Sequence, residues 1–250
     1  MTKTGLLADK ITLVTGASRG IGAAAARLFT AEGATVVLAA RSEDALKALA
    51  SELPGASYVV TDLGDKESID HLVRTVVERH GRLDAAFNNG GTATPPHPLA
   101  DVTEEDLDRV VQVNFKGVFH AVAAEVKAMI ATGGGAIVNT SSVGSLIANP
   151  ALPAYAAAKR AVNSLTESAA VTYGGAGIRV NAIAPGLTRT EMVDDWESHD
   201  PGVIDRIVAS TPLGRAAAPE EVAEAAAWLL SDRASYVTGA VLPVTGGTGI

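Results

Sequence analysis

The sequence predicts one α/β domain over residues 1–250: a doubly wound parallel sheet of about seven strands with helices on both faces. Three observations predict it. β-branched or apolar runs alternate with helix-period segments along the whole chain. A glycine turn joins the first strand directly to an Ala-rich helix. No composition shift, Pro/Ser-rich linker or internal repeat divides the chain.

The strands are expected at Ile11 to Thr15, Thr35 to Ala39, Ser57 to Val60, Asp84 to Phe87, Ala136 to Thr140, Arg179 to Ile183 and Ala240 to Pro243. Between them the apolar period lengthens, which places helices near 21–31, 43–52, 66–80, 103–131, 154–173 and 219–230. Ser42, Asp65 and Thr103, each followed by acids, are the expected caps. The segment 186–215 breaks this rhythm. It mixes Met192, Val193 and Trp196 with acidic residues and follows the carboxyl end of a strand, where doubly wound folds place ligands. It reads as a substrate lid with one or two short helices, or else as a surface excursion without a role.

With 47% apolar residues and a positive mean hydropathy, the chain has ample material for a core. It has no cysteine, which excludes disulfides, thiolate zinc sites and a cysteine nucleophile. A net charge of -8 argues against a nucleic-acid partner. Met1 to Lys10 carries Lys3 and Lys10 around a stretch too short for a secretory signal, and no apolar run nears the roughly 20 residues a membrane span needs. A cytoplasmic protein with no membrane partner is expected. No metal site is expected either, because His71, His80, His97, His120 and His199 show no paired ligand spacing and Asp194-Asp195 reads as a solvated acidic turn. There is no G-x-S-x-G elbow for hydrolase chemistry.

The first strand runs into Thr15-Gly16-Ala17-Ser18-Arg19-Gly20-Ile21-Gly22. Glycines there permit a tight turn and close backbone approach to a pyrophosphate, and the helix N-terminus behind them supplies free N–H groups and a positive dipole. The spacing is G-x-x-x-G-x-G rather than the standard G-x-G-x-x-G, so a plain strand-to-helix turn stays open. The second strand ends in Ala40-Arg41, where an acid would grip the ribose 2′-hydroxyl of NAD(H). With no acid there, Arg41 and Arg19 could pair with a 2′-phosphate, which favours NADP(H) with NAD(H) as the lesser option; two solvated arginines are the alternative. Asp62, beside Leu63 after the third strand, could accept from an adenine amino group or close an ordinary Asx turn.

The fifth strand ends in Ser141-Ser142, and thirteen residues beyond Ser142 comes Tyr155-Ala-Ala-Ala-Lys159. A Tyr and a Lys four apart share a helix face, so the ammonium can sit near the phenol and stabilise its phenolate.

In order and spacing, Thr15 to Gly22, Asn88-Asn89-Gly90, Asn114, Ser142, Tyr155, Lys159 and Pro185-Gly186 resemble the classical short-chain dehydrogenase/reductase family over essentially the whole chain, and with it a Rossmann-type domain. The resemblance implies that Tyr155 is the general acid/base and that Ser142 polarises the same substrate oxygen. It implies that Lys159 binds the nicotinamide ribose and depresses the Tyr155 pKa, and that Asn114 anchors a proton-relay water unless it merely caps or kinks its helix. It makes Gly16, Ser18, Arg19, Gly20, Ile21, Gly22, Arg41, Asp62, Leu63, Asn89, Gly90, Tyr155, Lys159, Pro185, Gly186, Thr188 and Thr190 the cofactor-binding candidates. Gly90 replaces the family's usual alanine, Thr188 stands where an apolar residue is more common, and Thr190 could instead be a simple N-cap.

The resemblance names no substrate. Relatives that reduce carrier-bound acyl groups tend to carry basic residues before the fifth and sixth strands, where this chain has Ala131 to Ala136 and Tyr173 to Gly177, both rich in glycine. A small or medium ketone, or the matching secondary alcohol, is therefore expected, enclosed by the loops 92–99, 145–152 and 187–196; His97 touches it or is simply solvated. An acyl-carrier-protein reductase is the alternative, and a non-catalytic NADP-sensing protein a more distant one. The small-residue faces of 103–131 and 154–173 fit a homotetramer, or a homodimer.

Overall fold

The computed structural model describes residues 5–249, so the expectation for Lys3 lies outside the described residues. Seven parallel strands form the sheet: β1 (Ile11–Thr15), β2 (Thr35–Ala40), β3 (Ser57–Val60), β4 (Ala85–Asn88), β5 (Gly135–Thr140), β6 (Ile178–Pro185) and β7 (Val241–Val244). Their order is β3-β2-β1-β4-β5-β6-β7, so the chain reverses its direction of winding between β1 and β4. Such a switch opens a crevice at the carboxyl ends of the strands. There Thr15 lies opposite Asn88, and the Thr15 hydroxyl accepts from the N–H groups of Asn89 and Gly90 at 3.1 and 3.3 Å.

Strands buried on both faces need apolar side chains on both, which is why they read as runs of Val, Ile and Leu rather than as alternating patterns. On one face α1 (Gly20–Ala31), α2 (Glu43–Glu52) and α9 (Pro219–Leu230) pack Ala23 to Ala26, Leu46 and Val222 against Val14 and Leu38. Phe29 and Phe87 meet there with ring centroids 5.9 Å apart. On the other face α3 (Lys66–His80), α5 (Val118–Thr132) and α6 (Pro153–Tyr173) cover Leu13, Ala86 and Ile137. Asp65 and Thr103 cap their helices through side-chain bonds to Glu67 N and Asp106 N. Ser42 stands at the N-cap of α2, but its hydroxyl makes no cap bond; only its carbonyl serves, accepting from Leu46 N.

Two features depart from the pattern read in the sequence. The continuous helix expected over 103–131 is α4 (Glu104–Val111), a π-helical turn over Gln112–Gly117, and α5. The widening falls where the helix passes the loop after β3: a methyl group at Gly117 would lie 2.4 Å from the Leu63 carbonyl oxygen. The segment 186–215 carries α7 (Glu191–His199) and α8 (Val203–Ala209), and its base is clasped by Ala217 N donating to Leu187 O and Arg189 N to Ala217 O, each at 2.9 Å. Among the described residues no helix is long and apolar enough to cross a membrane.

Candidate active site

The glycine turn is built by contacts that exclude side chains. A methyl group at Gly22 would lie 2.1 Å from the Gly16 carbonyl oxygen, and one at Gly16, whose φ is +65°, would lie 2.6 Å from Gly90 Cα. Across the turn, Gly20 faces the side chain of Thr190, whose hydroxyl makes no cap bond to α7 although the residue stands at its N-cap. A cleft of about 680 Å³ opens here, walled by Ser18, Arg19, Gly20, Arg189, Thr190 and Glu191. The N–H groups of Gly20, Ile21 and Gly22 at the start of α1 have no helical acceptor, and Arg19 supplies no side-chain cap. Gly186 packs against the Thr245 backbone, where a methyl group would lie 2.9 Å from Cα, and the Thr188 hydroxyl donates to Gly186 O at 3.2 Å.

Ser142, Tyr155 and Lys159 converge at the end of β5. Pro153 in the first turn of α6 starts the helix, and the four-residue spacing puts Tyr155 and Lys159 on one face. The Lys159 ammonium lies 5.7 Å from the centre of the Tyr155 ring and donates to Thr140 O at 2.7 Å. Only 2% of Lys159 is exposed, and burial lowers its pKa to about 8. The Ser142 hydroxyl accepts from Gly144 N at 3.1 Å, and its pull on the Tyr155 phenol opposes the effect of burial there.

The expected depression of the Tyr155 pKa by Lys159 is not what the protein alone displays. Burial raises the phenol above its ordinary value, and the counteracting pull comes from the Ser142 bond. The ammonium donates to the Thr140 carbonyl.

Asn114 is fully buried in the π-helical turn, and both ends of its amide are engaged. Its Oδ1 accepts from Thr92 N at 2.8 Å and its Nδ2 donates to Thr92 O at 2.7 Å. The side chain therefore fixes the loop after β4. A methyl group at Gly91 would meet Asn114 Oδ1 at 3.0 Å and Lys159 Nζ at 3.6 Å, so these two side chains flank the same point of that loop.

Beneath the strand ends lies a second polar set. Asn88 and Asn139 are register partners, and Asn88 Nδ2 donates to Asn139 Oδ1 at 3.1 Å and to Glu125 Oε2 at 2.9 Å. Glu125 is fully buried on α5; burial pushes its carboxyl up to about 7, against the pull of the Asn88 bond. Among the described residues Glu125 Oε1 and Asn88 Oδ1 have no hydrogen-bond partner.

The remaining candidates are spread more widely. Arg19 lines the cleft; Arg41 is exposed at the end of β2 and is not among its walls. Neither makes a side-chain hydrogen bond or ion pair with another described residue. Asp62 closes the Asx turn, its Oδ1 accepting from Gly64 N at 2.8 Å. The Leu63 side chain fills the space of the methyl group that Gly90 lacks, at 2.3 Å from where that methyl would stand. His97 joins two of the loops expected around the substrate, its N–H donating to Ala151 O at 2.8 Å. Among the described residues no group of three or more His, Asp or Glu side chains could hold a metal ion.

Sequence reasoning missed Glu125 and Asn163, and placed Arg189 and Ser145 only within the loops 187–196 and 145–152, without their places in the cleft wall and behind Ser142. Arg189 had a signal, its place beside Thr190. The others had none, because their partners are far away in sequence.

The family model described as enoyl-(acyl carrier protein) reductase matches residues 16–249. The A-factor type gamma-butyrolactone 1′-reductase (1S-forming) of Streptomyces virginiae is 49% identical, over 98% of this chain and 97% of its own. The 3-oxoacyl-(acyl-carrier-protein) reductase FabG of Thermotoga maritima is 42% identical, over 96% of this chain and 98% of its own. Among solved structures, levodione reductase superposes with a TM-score of 0.93 at 36% identity, over 97% of this chain and 98% of that one.

Proposed function

Because the chain belongs to the short-chain dehydrogenase/reductase family, whose members use nicotinamide cofactors, we propose that it is an NADP(H)-preferring oxidoreductase of small or medium ketones and the matching secondary alcohols. The observation that carries this reading is the convergence of Ser142, Tyr155 and Lys159 at the end of β5, on the sheet edge that also bears the glycine turn.

The residues present fit a dinucleotide. Glycines at 16 and 22 let the backbone come close, and α1 begins at Gly20 in the cleft wall with free N–H groups and the positive end of the helix dipole, which suits a diphosphate. Arg19 and Arg41 supply the charge for a 2′-phosphate. When bound, the nicotinamide gives or takes the hydride. Tyr155 protonates the carbonyl oxygen as reduction proceeds, or removes the proton in the reverse direction. Ser142 donates to the same oxygen, its hydroxyl proton turning from the phenol to the substrate while the Gly144 N–H stays on its Oγ. Lys159 holds the ribose hydroxyls beside the phenol. The segment 186–215 serves as the lid over the substrate.

A free ketone is preferred to a carrier-bound one. The net charge of -8 would repel an acidic carrier protein, and Arg179, the basic residue nearest the glycine-rich turn at 174–177, is engaged with the carbonyls of Leu229, Ser231 and Val237. The names of the lactone 1′-reductase and of levodione reductase point toward ring-bearing ketones. The 42% identity to a carrier-protein reductase favours the second reading, reduction of a carrier-bound 3-oxoacyl group, which a comparison of free and carrier-bound thioester separates. A homotetramer in the cytoplasm belongs to the same proposal; exposed Phe119 and Ile130 on α5 and Val171 on α6 supply apolar surface for pairing between copies, and light scattering gives the stoichiometry.

The test that needs no substrate is a fluorescence titration with NADPH and NADH side by side. Tighter binding of NADPH is expected. Tighter binding of NADH would contradict the arginine clamp and turn the substrate search toward alcohols to be oxidised.

A further inference from the structure

Behind Ser142 lies a cluster of hydroxyls and one amide that the chemistry above does not use. Ser141 Oγ lies 2.6 Å from Asn163 Oδ1, Asn163 Nδ2 donates to Ser145 Oγ at 2.9 Å, and the Ser145 hydroxyl donates to the carbonyl of Ser142 at 2.7 Å. Ser141 Oγ also lies 2.9 Å from Ser145 Oγ; with its one proton on the nearer Asn163 carbonyl, the chain Ser141 to Asn163 to Ser145 to Ser142 runs in one direction. Ser141 and Ser145 are fully buried, so water does not compete for these bonds.

The cluster joins the two halves of the catalytic apparatus. Asn163 stands one helical turn beyond Lys159 on the same face of α6, and the Lys159 carbonyl lies 3.1 Å from Ser141 Oγ. Arg160 Nε, also on α6, donates to Ser145 O at 2.8 Å. The turn bearing Ser142 is held in two ways. Ser145 holds the Ser142 carbonyl through its N–H at 2.9 Å as well as through its hydroxyl, and α6 holds Ser145. An apolar residue at 163 would take the amide partner from two buried hydroxyls and leave the turn tied to α6 only by Arg160 and by the Ser141 contact with the Lys159 carbonyl.

We propose that Asn163 and Ser145 are positioning residues that fix the Ser142 hydroxyl against the Tyr155 phenol. The proposal rests on the reading of Ser142 and Tyr155 as the acting pair. Its consequence is a property of Tyr155 itself: the Ser142 hydroxyl opposes the rise that burial causes in the phenol, so a displaced Ser142 lets the phenol rise further.

The experiment is a tyrosinate titration of the whole protein by ultraviolet difference absorption, with the Tyr155→Phe protein subtracted to isolate one phenol. Ser142→Ala sets the size of the full effect. Asn163→Leu and Ser145→Ala are expected to move the Tyr155 titration upward, toward the Ser142→Ala position. Should Asn163→Leu fail to fold, Asn163→Ala removes the same bonds with a smaller side chain. Variants that lower the thermal midpoint while titrating as wild type would overturn the proposal, since the cluster would then only stabilise the fold. A Ser142→Ala protein that titrates as wild type would overturn the pairing of Ser142 with Tyr155 and the proposal with it.

Discussion

Lys159 holds its ammonium 5.7 Å from the centre of the Tyr155 ring while donating to the carbonyl of Thr140, the last residue of β5. That single bond ties the helix bearing the phenol to the strand that leads into Ser142. The same burial that makes the bond strong makes the charge costly.

The cost sets the first prediction. The folded protein holds the Lys159 proton with a pKa of about 8, below its unfolded value of 10.5, so between these pH values the unfolded chain binds more protons. Stability gains from this residue as pH rises through that window, by up to about 3 kcal/mol. Urea denaturation at pH 8 and pH 10 is expected to show the gain in the wild type and its loss in Lys159→Met; equal pH slopes would contradict the assignment.

Glu125 carries the opposite sign. Its folded pKa of about 7 lies above its unfolded value of 4.5, so its contribution is fully present below pH 4.5 and is lost as pH rises through 7. Glu125→Gln keeps the shape without the charge and is expected to be the more stable protein at pH 8, by about 2 to 3 kcal/mol, with no advantage at pH 4.5. A Gln variant that follows the wild type at both pH values would show that Glu125 does not titrate in this range.

Gly22→Ala places a methyl group 2.1 Å from the Gly16 carbonyl, a backbone atom that can move only with the turn. A loss of about 1 to 3 kcal/mol of stability and a weakened grip on NADPH are expected together. Thermal unfolding and fluorescence titration of one preparation check both, and unaltered cofactor binding would separate the turn from the cofactor.

Arg19→Ala and Arg41→Ala are expected to weaken NADPH binding about tenfold each while leaving NADH binding unchanged, since a charge-assisted bond to a 2′-phosphate is absent from NADH. Equal losses for both cofactors would assign the arginines to the diphosphate. Because only Arg19 walls the cleft, the comparison also tells the two residues apart.

Much of this was legible in the sequence, for a physical reason. Strands buried on both faces and helices buried on one leave different apolar periods, so α3 and α9 fall where the pattern placed them, at Lys66–His80 and Pro219–Leu230. β6 extends to Pro185, two residues past the expected Ile183, because β7 continues to pair with it as far as Val244. The π-helical turn at Gln112–Gly117 was not legible, since it depends on the loop at Leu63 pressing against Gly117. Glu125 reads as a solvated helix residue until Asn88 is placed against it, and Ser145 and Asn163 read as unrelated until α6 folds over the turn after β5. Motifs whose spacing follows one element are visible in sequence; partners brought together by packing are not.

If Tyr155 is the acid/base of a nicotinamide oxidoreductase, Tyr155→Phe removes the one hydroxyl that moves the proton. NADPH-dependent reduction is measured against a panel of small ketones, levodione among them, beside NADPH binding by fluorescence titration. Turnover is expected to fall at least about 100-fold while NADPH still binds. Turnover that survives the loss of the phenol hydroxyl would contradict that role of Tyr155.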